Sequence, residues 1–264
     1  MIVLITGASG GLGPVLGRTL TEKGMRVYGT MRNPPSDGGN YPFEVLPMEI
    51  SDSDSVARCV STVMEKEGRI DVLINCVNRM IIGSVEEQTV EDVRRVLDTN
   101  VLGALRVCKE VIPAMKQQGS GTIVQMSSAA GFVAVPYMSA YSASKFAVEA
   151  FSEAMYHELK PSNVDVVLME PVAMAMDRGD TGSHLELVDG VRSGSTSQKV
   201  LARMAKDTAA SGLSPQAVSD RIYEVITSRK KPLRVPMDRA KTLTAVRKLA
   251  PQFVIDKLIA DFVK

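Results

Sequence analysis

The sequence predicts an α/β domain built on a doubly wound parallel sheet with helices on both faces. Short apolar runs of strand length alternate with longer runs of helical period from Ile2 to Glu170, the pattern of parallel strands joined by helices. The first apolar run ends in a glycine-rich turn that opens directly into a helix. The length of 264 residues is enough for one such domain with a well-buried core.

Seven segments have the length and the apolar content of buried strands. In chain order they are Ile2–Ile5, Arg26–Met31, Phe43–Met48, Asp71–Ile74, Gly121–Ser128, Asn163–Glu170 and a last one near Leu233–Val235.

Helices are predicted between these strands, where apolar residues recur with helical spacing. Ser51 and Asp52 are typical residues for the start of the second helix, and Pro161 follows the end of the fourth. The predicted helices are the segment through Val15, Leu16 and Leu20, then Ser53–Glu67, Glu91–Gln117, Tyr141–Leu159, Ser214–Ser228 and two patterns after Asp238 that Pro251 separates.

Beyond Glu170 the regular alternation fades. Residues 1–170 therefore form the expected binding and catalytic core of a single domain covering residues 1–264. Residues 171–213 contain glycines and methionines in an irregular pattern, which indicates a loop with short helices that covers an apolar substrate. Residues 214–264 complete the sheet and contribute to substrate or subunit contacts.

Composition excludes several classes of protein. The chain is 45% hydrophobic and 23% charged with a formal net charge of +1, so neither nucleic acid nor an anionic membrane is an expected partner. No apolar run approaches the roughly 18 residues of a membrane span, and the chain opens on Ile2–Ile5 without a secretory pattern. Cys59, Cys76 and Cys108 lack metal-ligand spacing, so we expect free thiols, no metal site and a cytoplasmic location.

The glycine-rich turn has the pattern T-G-x-x-x-G-x-G from Thr6 to Gly13. Its missing side chains let the backbone approach a pyrophosphate, and the following helix offers free N–H groups to that charge. A nucleotide site is therefore expected at the end of the first strand.

Tyr141 and Lys145 are four residues apart in a predicted helix, so both side chains lie on one face. A neighbouring ammonium favours the phenolate form of a tyrosine, which suits the pair to proton transfer with a substrate oxygen. Taken alone, the spacing favours a surface tyrosine and a solvated lysine, because such pairs are common on helices.

Ser128 stands thirteen residues before Tyr141, after an apolar run. Together with the glycine-rich turn, it makes the chain resemble the short-chain dehydrogenase/reductase family from Ile2 to about Pro171, most closely the branch of the 17β-hydroxysteroid and retinol dehydrogenases. A looser similarity reaches Lys231–Arg247. The resemblance implies a Rossmann-type fold and an oxidoreductase that interconverts a carbonyl and an alcohol on an apolar substrate such as a steroid or retinoid.

The resemblance also implies roles for individual residues. Ser128 hydrogen-bonds the substrate oxygen, and Tyr141 gives or takes its proton. Lys145 lowers the pKa of Tyr141 and holds the nicotinamide ribose. Asn100, in Asn100-Val101-x-Gly103, positions a water beside Lys145. The alternative for Asn100 is a packed structural amide.

The cofactor implied is NADP, with NAD less favoured. The second predicted strand ends in Gly29, Thr30 and Met31, without the carboxylate that would bind a ribose 2′-hydroxyl, and Arg32 follows where it can grip a 2′-phosphate. The predicted cofactor-binding residues are Thr6, Gly7, Ser9, Gly11, Leu12, Gly13, Arg32, Glu49, Ile50, Asn75, Tyr141, Lys145, Pro171 and Val172.

Two stretches depart from the family pattern. Relatives carry Asn-Asn-Ala-Gly where this chain has Asn75-Cys76-Val77-Asn78. Val172 stands where relatives have a glycine, and Met176 where they have a threonine that holds the nicotinamide carboxamide. These departures motivate an alternative of another class, a non-catalytic NADP-sensing scaffold. A 3-ketoacyl-carrier reductase is the nearer alternative, which the basic residues of 229–248 would suit, although a solvated basic face explains them too.

Small and apolar residues on two predicted helices indicate self-association. Glu91–Gln117 and Tyr141–Leu159 carry more of them than one sheet face can cover. In relatives these helices pair across a two-fold axis, which implies a homodimer or homotetramer. The alternative is a monomer whose C-terminal apolar pattern folds over its own subunit.

Overall fold

A computed structural model describes residues 1–36, 39–172, 174–175, 185–240, 242–243 and 250–263. The strands are β1 Ile2–Thr6, β2 Arg26–Met31, β3 Glu44–Pro47, β4 Val72–Asn75, β5 Met80–Ile82, β6 Gly121–Met126, β7 Val164–Glu170, β8 Leu185–Leu187 and β9 Arg234–Pro236. The main sheet has seven parallel strands in the order β3-β2-β1-β4-β6-β7-β9, and β5 and β8 form a separate pair. The predicted doubly wound sheet is confirmed.

Helices cover both faces of this sheet, as predicted. They are α1 Leu12–Glu22, α2 Ser53–Glu67, α3 Val90–Leu97, α4 Ala104–Gln118, α5 Ser139–Leu159, α6 Thr196–Ser211, α7 Pro215–Thr227 and α8 Gln252–Val263. Alternate residues of a strand point to opposite faces, so Val3 and Ile5 pack with α1 and α7, whereas Leu4 packs with α2 and α4. Within the described part of the chain, no helix has both the length and the apolar content to cross a membrane.

The chain is helical throughout the predicted range Glu91–Gln117, but not as one regular α-helix. A π-helical segment, Asp98–Gly103, separates α3 from α4. Leu97, Val101, Ala104 and Cys108 keep helical spacing through this segment, so the periodicity of the sequence does not reveal it. The segment contains Asn100 and packs closely: a Cβ on Gly103 would lie 2.8 Å from the Ile50 side chain.

The region expected to be an irregular loop is more ordered than predicted. β8 pairs in parallel with β5, and α6 is a single helix of 16 residues. Arg79 reinforces the strand pair through an ion pair of 2.8 Å with Glu186. Residues 173, 176–184, 241 and 244–249 lie outside the described residues. The prediction about Met176 and most of the helical pattern before Pro251 fall on these residues.

Candidate active site

The candidate site lies where the strand order of the sheet reverses. The chain winds outward from β1 in one direction and from β4 in the other, so the carboxyl ends of β1, β4 and β6 face a common crevice. Thr6 is in register with Asn75, and Asn75 with Gln125. Ligands of parallel α/β sheets bind at such a point, and the predicted glycine-rich turn, the segment after β4 and Ser128 meet there.

The glycine-rich turn has the backbone of an anion cradle. Gly7 and Gly11 have φ angles of +79° and +61°, and a Cβ on Gly13 would lie 2.1 Å from the Gly7 carbonyl oxygen. α1 begins at Leu12 with no side-chain cap and no acidic residue in its first turn. Its leading N–H groups therefore suit a phosphate, and the turn fits the pyrophosphate of a dinucleotide. Ser9 is exposed in this turn.

Thr6 and Asn75 hold the crevice together. The hydroxyl oxygen of Thr6 accepts hydrogen bonds from the N–H groups of Cys76 at 3.0 Å and Val77 at 3.3 Å. Asn75 is buried and donates to the side-chain oxygen of Gln125 at 3.1 Å. Its amide thus ties β4 to β6 inside the sheet, and the backbone that follows β4 is what faces the crevice.

The predicted adenosine-binding residues follow β2 and β3. Arg32 is exposed at the end of β2. Burial would raise the pKa of Glu49, but hydrogen bonds from Ser51 and the nearby charge of Arg32 outweigh it, so this pKa lies below its ordinary value. Ile50 is buried against Gly103.

The predicted catalytic pair is buried, which excludes a surface tyrosine and a solvated lysine. Tyr141 and Lys145 are 7% and 3% exposed, and the Lys145 ammonium nitrogen lies 5.5 Å from the centre of the Tyr141 ring. That ammonium donates a hydrogen bond of 2.7 Å to the Met126 carbonyl at the end of β6. Ser128 follows β6, and its hydroxyl oxygen accepts from the Ala130 N–H at 3.2 Å. The structure therefore brings Ser128, Tyr141 and Lys145 together.

In this structure burial affects the pKa of Tyr141 more than its hydrogen bonds do. Burial raises the pKa of Tyr141 to about 12, and side-chain hydrogen bonds from Ser128 and Asn78 oppose that rise. Burial also lowers the pKa of Lys145 to about 8. The ammonium is directed to the Met126 carbonyl, so burial dominates both groups.

The side chain of Asn100 makes three hydrogen bonds to residues of its own chain. Its side-chain oxygen accepts from the Arg79 N–H at 2.7 Å, and its amide nitrogen donates to the Arg79 carbonyl at 2.8 Å and to the Ser144 hydroxyl at 2.9 Å. These three bonds occupy both ends of the amide. Asn100 therefore clamps the segment after β4 to α5.

Pro171 and Val172 follow β7 at the same edge of the sheet. Pro171 is buried, and its carbonyl accepts from the Ala129 N–H at 3.0 Å, one residue beyond Ser128. Val172 is half-buried. No group of three or more metal-binding side chains occurs among the described residues.

An apolar cluster surrounds Tyr141. β5, β8 and α6 all contribute side chains to it. The members are Ile82, Ala130, Met138, Tyr141 and Val200, with Met80, Val135, Tyr137, Leu187, Leu201 and Met204 at its edge. Three residues of the segment predicted to cover the substrate, Val200, Leu201 and Met204, thus pack beside the predicted proton donor.

Sequence reasoning missed two groups of this site. Hydrogen bonding from the Asn78 side chain opposes the rise in the pKa of Tyr141, whereas the residue pattern shows Asn78 only as a departure from the family. The Met126 carbonyl was missed because a backbone acceptor leaves no trace in a residue pattern.

Comparisons with known proteins agree with this geometry. Residues 1–182 match the family model described as short chain dehydrogenase. The chain is 34% identical over 237 residues to 3-ketodihydrosphingosine reductase of Bacteroides thetaiotaomicron, covering 88% of this chain and 86% of that protein. It is 31% identical over 252 residues to retinol dehydrogenase 8 of Homo sapiens, covering 88% and 79%.

A solved structure supports the fold. A short-chain dehydrogenase from Streptomyces avermitilis superposes with a TM-score of 0.84 at 23% identity, covering 100% of this chain and 98% of that one. The chain therefore belongs to the short-chain dehydrogenase family, as an oxidoreductase of carbonyl and alcohol groups that binds a nicotinamide dinucleotide.

Proposed function

We propose that this protein is an NADP(H)-dependent enzyme that reduces a ketone or aldehyde on an apolar substrate, or oxidises the corresponding alcohol. One observation carries the proposal: Ser128, Tyr141 and Lys145 are buried together beside an apolar cluster that α6 closes. A buried phenol next to a buried ammonium has a clear use in proton transfer and little use in a scaffold.

In this mechanism the substrate oxygen lies between the hydroxyls of Ser128 and Tyr141. The cofactor, when bound, supplies the hydride for the carbonyl carbon. Tyr141 donates its proton to the carbonyl oxygen and becomes a phenolate, while Ser128 donates a hydrogen bond to the same oxygen. Lys145, with a pKa of about 8, carries a positive charge at pH 7 that stabilises the phenolate. In alcohol oxidation these steps run in reverse.

The preference for NADP rests on Arg32. It is exposed at the end of β2, and the last three residues of that strand, Gly29, Thr30 and Met31, include no carboxylate. A guanidinium binds a phosphate through short, charge-assisted hydrogen bonds.

We assign the cradle of Thr6, Gly7, Ser9, Gly11, Leu12 and Gly13 to the pyrophosphate.

The substrate we propose is long or polycyclic and mostly apolar. The cluster around Tyr141 includes four methionine or leucine side chains at its edge, which adapt to irregular apolar ligands. Similarity to a 3-ketodihydrosphingosine reductase and to a retinol dehydrogenase supports a lipid-like carbonyl.

An acyl-carrier substrate is less well supported. A basic docking surface needs free cations, but Lys231 forms an ion pair with Asp165 at 3.2 Å. Arg234 contacts three carboxylates of its own chain, those of Glu149, Glu153 and Glu170. Both side chains are thus engaged within the chain.

We also propose a homodimer or homotetramer built on α4 and α5, in the cytoplasm. Ala143, Ala150, Phe151 and Ala154 are exposed along α5, and Phe151 leaves 44% of its surface open. A continuous apolar face of this kind favours subunit contact. The three cysteines are free thiols, as in reducing compartments.

The test is oxidation of NADPH by the purified protein with a panel of steroid, retinoid and long-chain ketones and aldehydes. We expect turnover with at least one apolar member and slower turnover with NADH. No turnover of any member in either direction, with the cofactor bound, would favour the sensing scaffold.

A further inference from the structure

Asn78 lies in the active-site crevice and has no part in the mechanism above. It follows β4, and hydrogen bonding from its side chain opposes the rise in the pKa of Tyr141, the residue that exchanges the proton. The side-chain oxygen of Asn78 is buried and has no hydrogen-bond partner among the described residues. Buried polar atoms are nearly always paired, and exceptions concentrate at functional sites.

A chain of hydrogen bonds fixes the position of Asn78 relative to Tyr141. The next residue, Arg79, has both its N–H and its carbonyl bound by the amide of Asn100, at 2.7 and 2.8 Å. Asn100 also donates to the Ser144 hydroxyl at 2.9 Å, and Ser144 donates to the Tyr141 carbonyl at 2.7 Å. The segment that carries Asn78 is thereby fastened to the turn of α5 that carries the phenol.

The amide has a distinct chemical effect on the phenol. Its nitrogen can donate a hydrogen bond but cannot accept one, so it stabilises the phenolate more than the protonated hydroxyl. Ser128 also hydrogen-bonds Tyr141, but in the proposed mechanism its hydroxyl donates to the substrate oxygen. A second donor lets Tyr141 keep a partner while Ser128 binds the substrate.

We propose that Asn78 is a positioning residue of the reaction, donating its amide N–H to the Tyr141 hydroxyl and presenting its oxygen to a hydrogen-bond donor on the bound ligand. This inference rests on the proposed function for its kinetic consequence, but the hydrogen bond itself does not. The donor on the ligand is a hydroxyl or N–H group, carried by the cofactor or by the substrate.

The kinetic test measures kcat/KM for alcohol oxidation against pH in the wild type, Asn78→Gly and Asn78→Asp. Because Tyr141 must lose its proton first, kcat/KM rises with pH. A lost hydrogen bond to the phenolate raises the pKa of Tyr141, so the Asn78→Gly profile should move up by about one pH unit, about tenfold in rate at a given pH. Asn78→Asp should move further, since a carboxylate repels the phenolate. Gln117→Glu makes the same change on an exposed part of α4 and should leave the profile in place.

A second measurement shows whether the group that donates to the Asn78 oxygen belongs to the cofactor or to the substrate. It is the dissociation constant of NADPH for the same variants. Weaker cofactor binding in Asn78→Gly assigns the donor to the cofactor. Unchanged cofactor binding with a raised KM assigns it to the substrate. If neither value changes, the ligand-binding role of the Asn78 oxygen is refuted.

A spectroscopic measurement tests the hydrogen bond without turnover. The side-chain amide signal of Asn78, identified in nitrogen-15 NMR spectra by its loss in Asn78→Gly, should shift in Tyr141→Phe, in which Asn78 is intact. An unshifted amide signal, or a pH profile unmoved in both Asn78 variants, overturns the proposal. If the wild type turns over no substrate while the signal still shifts, the proposed function fails and the hydrogen bond stands.

Discussion

Lys145 donates its ammonium to the carbonyl of Met126 at 2.7 Å, which places its charge 5.5 Å from the centre of the Tyr141 ring. The phenol meanwhile has a pKa raised to about 12 by burial. At neutral pH Tyr141 therefore holds its proton while Lys145 is charged. That combination favours a site that donates a proton, as carbonyl reduction requires.

We expect the charge of Lys145 to set the alkaline limit of ketone reduction. Burial lowers its pKa to about 8, so the ammonium is present below this pH and is lost as the pH rises through it. The measurement is kcat/KM for reduction against pH in the wild type, Lys145→Arg and Lys145→Ala. The wild type should lose activity above about pH 8.

The two Lys145 variants separate charge from cofactor binding. Lys145→Arg keeps a charge at every pH of the experiment, so its rate falls but the alkaline limit disappears. Lys145→Ala should lose both rate and cofactor affinity. An alkaline limit that persists unchanged in Lys145→Arg would show that another group sets it.

Arg32 should determine the choice of cofactor. Arg32→Ala removes a charge-assisted hydrogen bond worth about 1.5–3 kcal/mol, so NADP should bind roughly ten- to a hundredfold more weakly while NAD binding changes little. Titration calorimetry with both cofactors measures this, with exposed Arg229→Ala as the matched control. Equal losses for NADP and NAD would mean that Arg32 does not contact the phosphate.

Local signals in the sequence predicted much of this fold. The bounds of β2 at Arg26–Met31 and of α2 at Ser53–Glu67 match the prediction to the residue, because each has a continuous pattern and distinct end residues. The pair formed by Tyr141 and Lys145 was found because its spacing follows from helix geometry.

What the sequence did not reveal depends on contacts between distant segments. β5 and β8 are three residues each and pair across about a hundred residues of chain, so neither carries a recognisable strand pattern. The place of Asn78 beside Tyr141 depends on the clamp of Asn100 on Arg79. The pKa of Tyr141 depends on how deeply it is buried, which spacing along a helix does not determine.

Arg234 should be important for stability. It contacts Glu149 and Glu170, which are 6% and 1% exposed, as well as Glu153. Arg234→Ala removes a cation that contacts buried carboxylates, which should lower the free energy of unfolding by about 3–5 kcal/mol in urea denaturation.

The control for Arg234 is an exposed ion pair. Arg221 contacts Glu224 at 2.7 Å with both side chains about half exposed, so Arg221→Ala should cost less than about 1 kcal/mol. If the two variants are equally stable, the carboxylates around Arg234 do not depend on its charge.

The proposed dimer should dissociate when a charge is placed on its shared face. Ala154 is exposed on α5, and Ala154→Glu buries a carboxylate in the contact, which is strongly unfavourable. Light scattering should give twice the chain mass of 28.5 kDa or more for the wild type, and 28.5 kDa for this variant. The control is Ser61→Glu, because Ser61 is exposed on α2, outside the proposed contact. This variant should keep the mass of the wild-type oligomer. A wild-type mass of one chain at micromolar concentration would refute the dimer.

The most direct test of the proposed mechanism is Tyr141→Phe, because it removes only the transferable proton and leaves the ring in place. Turnover of the best ketone substrate by NADPH should fall by orders of magnitude, while the dissociation constant of NADPH stays close to that of the wild type. Substantial turnover in this variant with the cofactor bound would contradict the assignment of Tyr141 as the proton donor.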